Sequence, residues 1–437
     1  MSLAGEVSGL LQELIRLDTV NPPGNETRAA ELLEEYLGDN GVECETYARV
    51  PERANLVARI PGAGTGPRLV LLSHTDTVLA DPDEWSVDPW SGDLRDGWIW
   101  GRGALDMKGQ VAASAVTIAS LAREGFEPAG DLIFAACADE EMGEGVQFGL
   151  QWLLEEHPPA LEAEFSINEG AGDRLEIGGR VFYLCATAEK MSAPFRLRVR
   201  GRTGHGSMPG IADNALVKAA KLIERLDAFE PRVVMGPEAE TMLEAFLGTV
   251  PRRQDALRLA READTLAGEQ VEPLLSMTIS PTMISASEKR NVIPGLCDVV
   301  VDCRLLPGQS QEEARRELEA TLGENDYEFE WLEAYGGTRS PLDSPLWDAV
   351  ASFVRQAEPG AEAVPYLVPG FTDSHWLRSA YGTVAYGFFP SRMDPAVAAR
   401  LIHSADERVA VDDLELGLDF LRHAAETIGK TEMRERP

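Results

Sequence analysis

The 437-residue chain is short of positive charge. Lys and Arg number 40 against 73 Asp and Glu, a formal net charge of −33, and only six of the 40 are Lys. A chain this acidic repels nucleic acid and anionic lipid, so neither is expected as a partner. A salt-adapted host would account for the acid-rich, Lys-poor balance, and a GC-rich genome would account equally well for the Arg usage. No apolar run reaches the ~18–20 residues that a membrane span needs. The opening stretch MSLAGEVSGLLQELIRLD is amphipathic and carries acids, unlike a signal peptide. The five Cys (44, 137, 185, 297 and 303) are odd in number and contain no CxxC pair. Cys137, Cys297 and Cys303 lie in apolar strand-like runs, which reads as buried free thiols in a reducing cytoplasm. The remaining composition, 44% hydrophobic and 26% charged, is ordinary for a globular protein and excludes a disordered, collagen-like or coiled-coil chain. At ~100–200 residues per domain the length predicts two or three domains.

Helical spacing covers 7–17 and 28–39, separated by the turn-rich DTVNPPGNET, with Gly41 as a C-cap. Residues 55–60 and 69–73 read as strands, and the unbroken apolar LVLLS suits a strand covered on both faces. DGWIWGRGALD is a Gly-rich hairpin or irregular stretch, followed by a helix at 109–124. LIFAACA (132–138) is a second buried strand ahead of the acidic loop DEEMGEG; a helix at 146–156 and a strand at 164–167 follow. This alternation predicts an α/β domain with a mostly parallel sheet and helices on both faces. Near residue 189 the character changes. FRLRVRGRTG alternates like a half-exposed strand, 213–227 is a helix, 232–275 is polar and helical, two more strands follow, and 310–322 is another helix. That β-α-β-β-α-β pattern predicts an inserted α+β, ferredoxin-like domain. The expected division is 1–188 with 306–437 as one domain and 189–305 as the insert.

Three apolar strands run straight into chemistry. LVLLS ends in His74-Thr75-Asp76, LIFAACA in Asp139-Glu140-Glu141, and EFSIN in Glu169, while Asp106 stands at the start of a helix. Ligand sites in open α/β sheets lie beyond the carboxyl ends of strands. Singly, each has a plain reading: a core histidine, a helix cap, a solvated loop, a turn. Together, converging carboxylates and an imidazole lose desolvation energy unless a cation joins them. His and carboxylate donors suit Zn²⁺, Co²⁺ or Mn²⁺. Successive strand residues point to opposite faces, so Glu140 and Glu141 divide naturally into one ligand and one unbound base. Asp76 is spaced to receive the other N–H of the His74 ring.

The ordered set SHTDTV, WSVDPWSG…GWIWGRGALDMKG, ADEEMGE, NEG, GRTGHGSMP, NVIPG…DCRLLP, GFTDSHW and the late His403-Ser404 resembles the M20 family of metallopeptidases over nearly the whole chain. The resemblance implies two divalent metal ions per subunit, most readily Zn. Asp106 would bridge them, with His74 and Glu169 completing one site and Glu141 and His403 the other. Glu140 would be the general base acting on a metal-bridging hydroxide, and Asp76 the orienting acid. The residue type at Glu169 points to acylases and carboxypeptidases rather than aminopeptidases. The insert would be a lid and dimerisation domain, with His205 serving as oxyanion donor in the partner subunit of a homodimer. Asn291, Arg304 and Gly370 would hold the substrate, for which a bidentate match of Arg304 to a carboxylate is one basis and a structural pair with Asp302 the plain alternative.

The implied reaction is hydrolysis of the amide bond of a small N-acyl amino acid or peptide by a cytoplasmic enzyme. A dinuclear centre also serves phosphoester hydrolysis or deamination of an aromatic amine, and a non-catalytic binding relative is a third reading. The missing basic phosphate cradle argues against phosphoesters. Two features depart from the family pattern: the long helical stretch at 230–275, and Phe371 where many relatives carry Gly. Phe388-Phe389 is either core packing or a preference for an apolar acyl group. His157 and His423 read as surface residues, and His375 is left open.

Overall fold

The computed structural model describes residues 2–142, 147–323 and 326–432. The start of the helix expected at 146–156 falls at residue 146, outside the described residues; the described helix is Leu150–Glu156. The chain divides into two compact units, Met1–Thr187 with Ser340–Tyr366 and Thr372–Pro437, and Ala188–Arg339 with Leu367–Phe371. The principal strands are β1 (Glu43–Ala48), β2 (Ala54–Ile60), β3 (Leu69–His74), β4 (Leu132–Cys137), β5 (Phe165–Asn168), β6 (Arg180–Glu189), β7 (Phe195–Arg200), β8 (Thr278–Ser285), β9 (Leu296–Leu305), β10 (Tyr327–Trp331), β11 (Glu362–Val368) and β12 (Val384–Gly387). The principal helices are α1 (Leu3–Arg16), α2 (Thr27–Asp39), α3 (Lys108–Arg123), α4 (Ala215–Asp227), α5 (Gln311–Leu322), α6 (Pro345–Ala357), α7 (Ser374–Tyr381), α8 (Pro395–Leu401) and α9 (Val411–Gly429).

The large sheet of the first unit runs β1-β2-β4-β3-β5-β12-β6-β11. Its centre, β4-β3-β5-β12, is parallel, and β1 and β2 close one edge antiparallel. All residues of β3 and β4 are buried, because helices cover both faces and leave no polar side to alternate with. Leu69 and Leu71 join a core with α1, α2, α3 and α9. Val70 and Leu72 point the other way, toward Leu150, Leu153 and Leu377 of α7. The small-residue sequence of α3 is buried almost throughout, as expected of a helix without a polar face. Among the described residues no helix is long and apolar enough to cross a membrane.

The second unit is an antiparallel sheet ordered β10-β7-β9, with β8 on the other edge of β9. In chain order this is β7-α4-β8-β9-α5-β10, the ferredoxin-like pattern. Three short helices, Pro237–Leu247, Ala256–Ala263 and Thr265–Val271, fill the polar stretch before β8. The boundary expected at residue 305 is corrected to Arg339. The fourth strand, β10, pairs with β7 from Phe195↔Trp331 to Val199↔Tyr327, and Ala314, Leu318 and Leu322 of α5 pack in the same core as Cys297, Val299 and Val301. Ending the unit at 305 would strip that core of its second helix and last strand.

Candidate active site

The sheet delivers its acids and histidine from adjacent parallel strands. His74 is the buried last residue of β3. Beyond β4 the chain turns out of the strand at Asp139, which takes a left-handed φ of 65°, and presents Glu140 and Glu141. Glu169 follows β5. Asp106 comes from the loop that enters α3. His403, two residues beyond α8, has a φ of 59°, a left-handed conformation that His tolerates better than most residues. A small sheet fixes the last two loops together: Asp93–Arg95, Trp98–Trp100 and Arg408–Ala410 pair antiparallel, with Val409 opposite Ile99.

Asp106 stands between two imidazoles. Its Oδ1 lies 3.2 Å from His74 Nε2 and its Oδ2 3.2 Å from His403 Nε2. Glu169 Oε2 is 3.7 Å from His74 Nε2, and Glu141 Oε2 is 3.2 Å from His403 Nε2. Two groups result, His74-Asp106-Glu169 and Asp106-Glu141-His403, each with its ligand atoms within 4.8 Å of one another. Glu140 belongs to neither.

The electrostatics test whether cations fit. Burial, with Glu169 next, holds the Glu140 carboxyl well above its usual range. Burial raises Glu141 to about 7 and also raises Glu169, beside Asp106. Hydrogen bonds to Asp106 and Glu141 push His403 up to about 10. Burial alone would lower His74, but Glu169, Asp106 and Asp76 drive it well up. Without cations, this cluster is satisfied only by holding protons. Glu141 Oε1 is buried with no hydrogen-bond partner among the described residues, a costly state for a carboxylate oxygen. Two N/O sites of this composition suit divalent metal ions, and such ions relieve both conditions.

The supporting residues extend the sequence reading. Asp76, fully buried, lies 3.4 Å from His74 Nδ1 through Oδ1, while the carbonyl of Asp76 is nearer to that nitrogen at 3.1 Å. The carboxylate accepts the N–H groups of Glu140 at 3.2 Å and Glu141 at 3.0 Å and the Asn21 amide at 2.9 Å. It therefore fixes the acidic loop as well as the imidazole. Asn21 also donates to Asp139, which Arg53 ties to Glu26. Burial holds Asp373, at the start of α7, at about 7, with His74 lowering and Glu169 raising it. Sequence reasoning passed over Glu407. It is fully buried and accepts Arg102 at 2.7 Å and the N–H groups of Gly103, Leu105 and Asp106 at 3.0, 2.7 and 3.1 Å. One carboxylate thus holds the Asp106 loop to the chain just beyond His403. The only sequence signal was an acid four residues after that histidine.

His205, Asn291, Arg304 and Gly370 belong to the second unit. His205 is exposed and pairs with Val292, and Gly206 N–H donates to the carbonyl of Asn291. The His205 Nδ1 accepts the Ser207 N–H at 3.3 Å and contacts its hydroxyl at 2.8 Å, which leaves the proton of the neutral ring on Nε2. Arg304 is engaged by Asp302, two residues away on the same face of β9, at 3.0 and 2.9 Å. Gly370 lies in the Leu367–Phe371 segment, where the Phe371 ring meets Tyr335 edge-on at 4.8 Å. His375 packs on Trp376, His157 on Tyr47, and His423 on Phe353 while bonding Ser352; none joins a ligand group among the described residues.

The model of peptidase family M20/M25/M40 matches residues 70–427. A succinyl-diaminopimelate desuccinylase of Cereibacter sphaeroides is 29% identical over 420 residues, covering 93% of this chain and 94% of its own. Aminoacylase-1 of Sus scrofa is 27% identical over 410 residues, covering 92% and 89%. An M20 family metallo-carboxypeptidase of Sulfolobus solfataricus shares the fold with a TM-score of 0.73 at 18% identity, over 97% of this chain and 99% of that one. A dinuclear metal binding peptidase of Bacillus subtilis does so at 0.61 and 13%, over 98% and 99%. With its motifs in order along both units and the family model spanning most of its length, the chain belongs to peptidase family M20/M25/M40.

Proposed function

We propose that the protein hydrolyses the amide bond of a small N-acyl amino acid or peptide, with two divalent metal ions, most readily Zn²⁺, held by His74, Asp106 and Glu169 and by Asp106, Glu141 and His403. The observation that carries this reading is the pair of ligand groups sharing Asp106, with Glu140 beside them and in neither. Bound there, two cations would polarise the amide carbonyl and make water acidic enough to attack at neutral pH. Glu140 would take the proton of the attacking water and return it to the departing nitrogen, since it stands beside both ligand groups and in neither. Asp76 keeps Glu140 in place through its backbone N–H. His205, exposed on the second unit, would be the oxyanion donor in the active site of the partner subunit. Asn291 and Gly370 line the substrate, and Arg304 does so once the carboxylate of the substrate displaces Asp302 from its guanidinium. The relatives named for desuccinylase, aminoacylase and carboxypeptidase activity support this class.

The test is amine release from N-acetyl, N-succinyl, long-chain N-acyl and dipeptide substrates by protein loaded with Zn²⁺, Co²⁺ or Mn²⁺. Turnover of at least one such amide is expected. Silence across the panel at full metal occupancy would sink the reading.

We further propose a homodimer built on the second unit. The edge strand β8 pairs only with β9 among the described residues and exposes Met283 (67%) and Ile284 (51%), an apolar unpaired edge that a monomer would have to protect. Met283→Asp together with Ile284→Asp is expected to convert a dimer to a monomer in sedimentation velocity. A wild-type monomer, or a dimer that survives both changes, contradicts this interface. The five free cysteines, four of them buried, support placing the protein in the reducing cytoplasm.

A further inference from the structure

We propose that the acyl half of the substrate is uncharged and apolar, up to about the bulk of a phenyl ring, and that it enters a cavity of the first unit walled by Leu105, Phe389, Pro390 and Ile402. This rests on the amide-hydrolase reading above and names its acyl specificity.

The cavity has a volume of about 220 Å³, and Asp106 and Glu169 are part of its wall, so it lies beside both ligand groups. An apolar cavity of ~150 Å³ accommodates benzene, which sets the size of group that fits. The two phenylalanines of AYGFFP divide between core and cavity. Phe388 is fully buried, edge-on to Phe420 at 4.7 Å. Phe389 is half-buried and lines the cavity. Its ring lies against α9 at Gly417, where a Cβ would come within 2.1 Å of Phe389 Cζ. Only glycine there lets the ring lie against the helix, so the wall is fixed by the sequence of α9.

Charge decides which half of the substrate enters. Among the described residues no Lys, Arg or His lines the cavity. Besides the two ligand carboxylates it carries Asp173 and Asp413. The Asp413 carboxylate is held by the Ser391 hydroxyl at 2.8 Å and by the N–H groups of Arg392 and Met393 at 2.9 and 3.2 Å. Away from the two metal ions, an anionic acyl group would be desolvated there against Asp173 and Asp413 with no Lys, Arg or His to pair it. The amino-acid half carries its carboxylate next to the carbon that bears its side chain, so the same repulsion keeps that half out. A neutral acyl group meets neither penalty and buries its carbons on the apolar walls.

The experiment measures kcat/KM of the metal-loaded full chain on acetyl, valeryl, benzoyl, succinyl and leucyl derivatives of one amino acid. Succinyl is close in shape to valeryl but anionic, and leucyl carries an ammonium. Valeryl is expected to exceed acetyl at least tenfold and succinyl at least a hundredfold. Ala398→Phe, which fills the cavity from α8, is expected to lower the valeryl-to-acetyl ratio at least tenfold, and Phe389→Ala to shift the optimum to longer chains. Preference for succinyl or leucyl, or ratios unmoved in both variants, overturns the cavity assignment while leaving amide hydrolysis intact. Silence on every derivative removes the amide-hydrolase reading, and the cavity assignment with it.

Discussion

Glu140→Gln is expected to lower kcat by about 10²–10⁴-fold, the span that general acid–base catalysis contributes, while the protein still folds and binds both metal ions. The amide is isosteric but cannot accept the proton of the attacking water or pass one to the leaving nitrogen. Metal binding is spared because Glu140 stands outside both ligand groups. The loop is spared because Asp76 bonds the Glu140 backbone N–H and not its side chain. The measurement is amine release under saturating metal, paired with elemental analysis. A fall in kcat accompanied by loss of metal would reassign Glu140 as a ligand. A variant within tenfold of wild type would remove it as the base.

Glu407→Gln is expected to weaken metal binding about 10–100-fold, the usual cost of losing a group that orients metal ligands. It is also expected to destabilise the fold by ~3–5 kcal/mol, as when one member of a buried ion pair is removed. Glu407 and Arg102 are both buried, so the uncharged amide leaves the guanidinium without its counter-charge. The amide has one acceptor oxygen where the carboxylate used two, so the N–H groups of Leu105 and Asp106 or that of Gly103 lose their partner. The Asp106 loop and the segment beyond His403 are then free to part, and the shared ligand is placed less well for both sites. Competition with a chromophoric chelator measures the affinity, and urea unfolding of the metal-free protein measures the stability. Unchanged affinity alongside lowered stability would confine Glu407 to a structural role.

The sequence was most legible where one strand did one job. LVLLS and LIFAACA are apolar throughout because both faces are covered, so their ends, and the acids beyond them, stood out. The alternation in FRLRVR was equally plain, with Phe195, Leu197 and Val199 buried and the arginines between them less so. What the local pattern did not carry was pairing across long separations. The strand β10 alternates strictly as YEFEW, but its partner at Phe195–Val199 lies about 130 positions away, so nothing nearby assigned it to the second unit. Glu407 looked like one acid among many, since its worth comes from three backbone N–H groups about 300 residues away. Asn21 was hidden for the same reason, inside a stretch that reads as turn chemistry. Arg304 shows the converse limit. Its residue type suits a carboxylate, but the nearest carboxylate is Asp302 on the same strand face, and a period of two places them side by side.

The most direct measurement is a calorimetric titration of Zn²⁺ into chelator-treated protein, for wild type and His403→Ala. Removing His403 breaks the group it forms with Asp106 and Glu141 and leaves His74, Asp106 and Glu169 complete. The account predicts two tight equivalents per chain in wild type and one in the variant. A single equivalent in wild type, or two in both proteins, would contradict a two-metal centre bridged by Asp106.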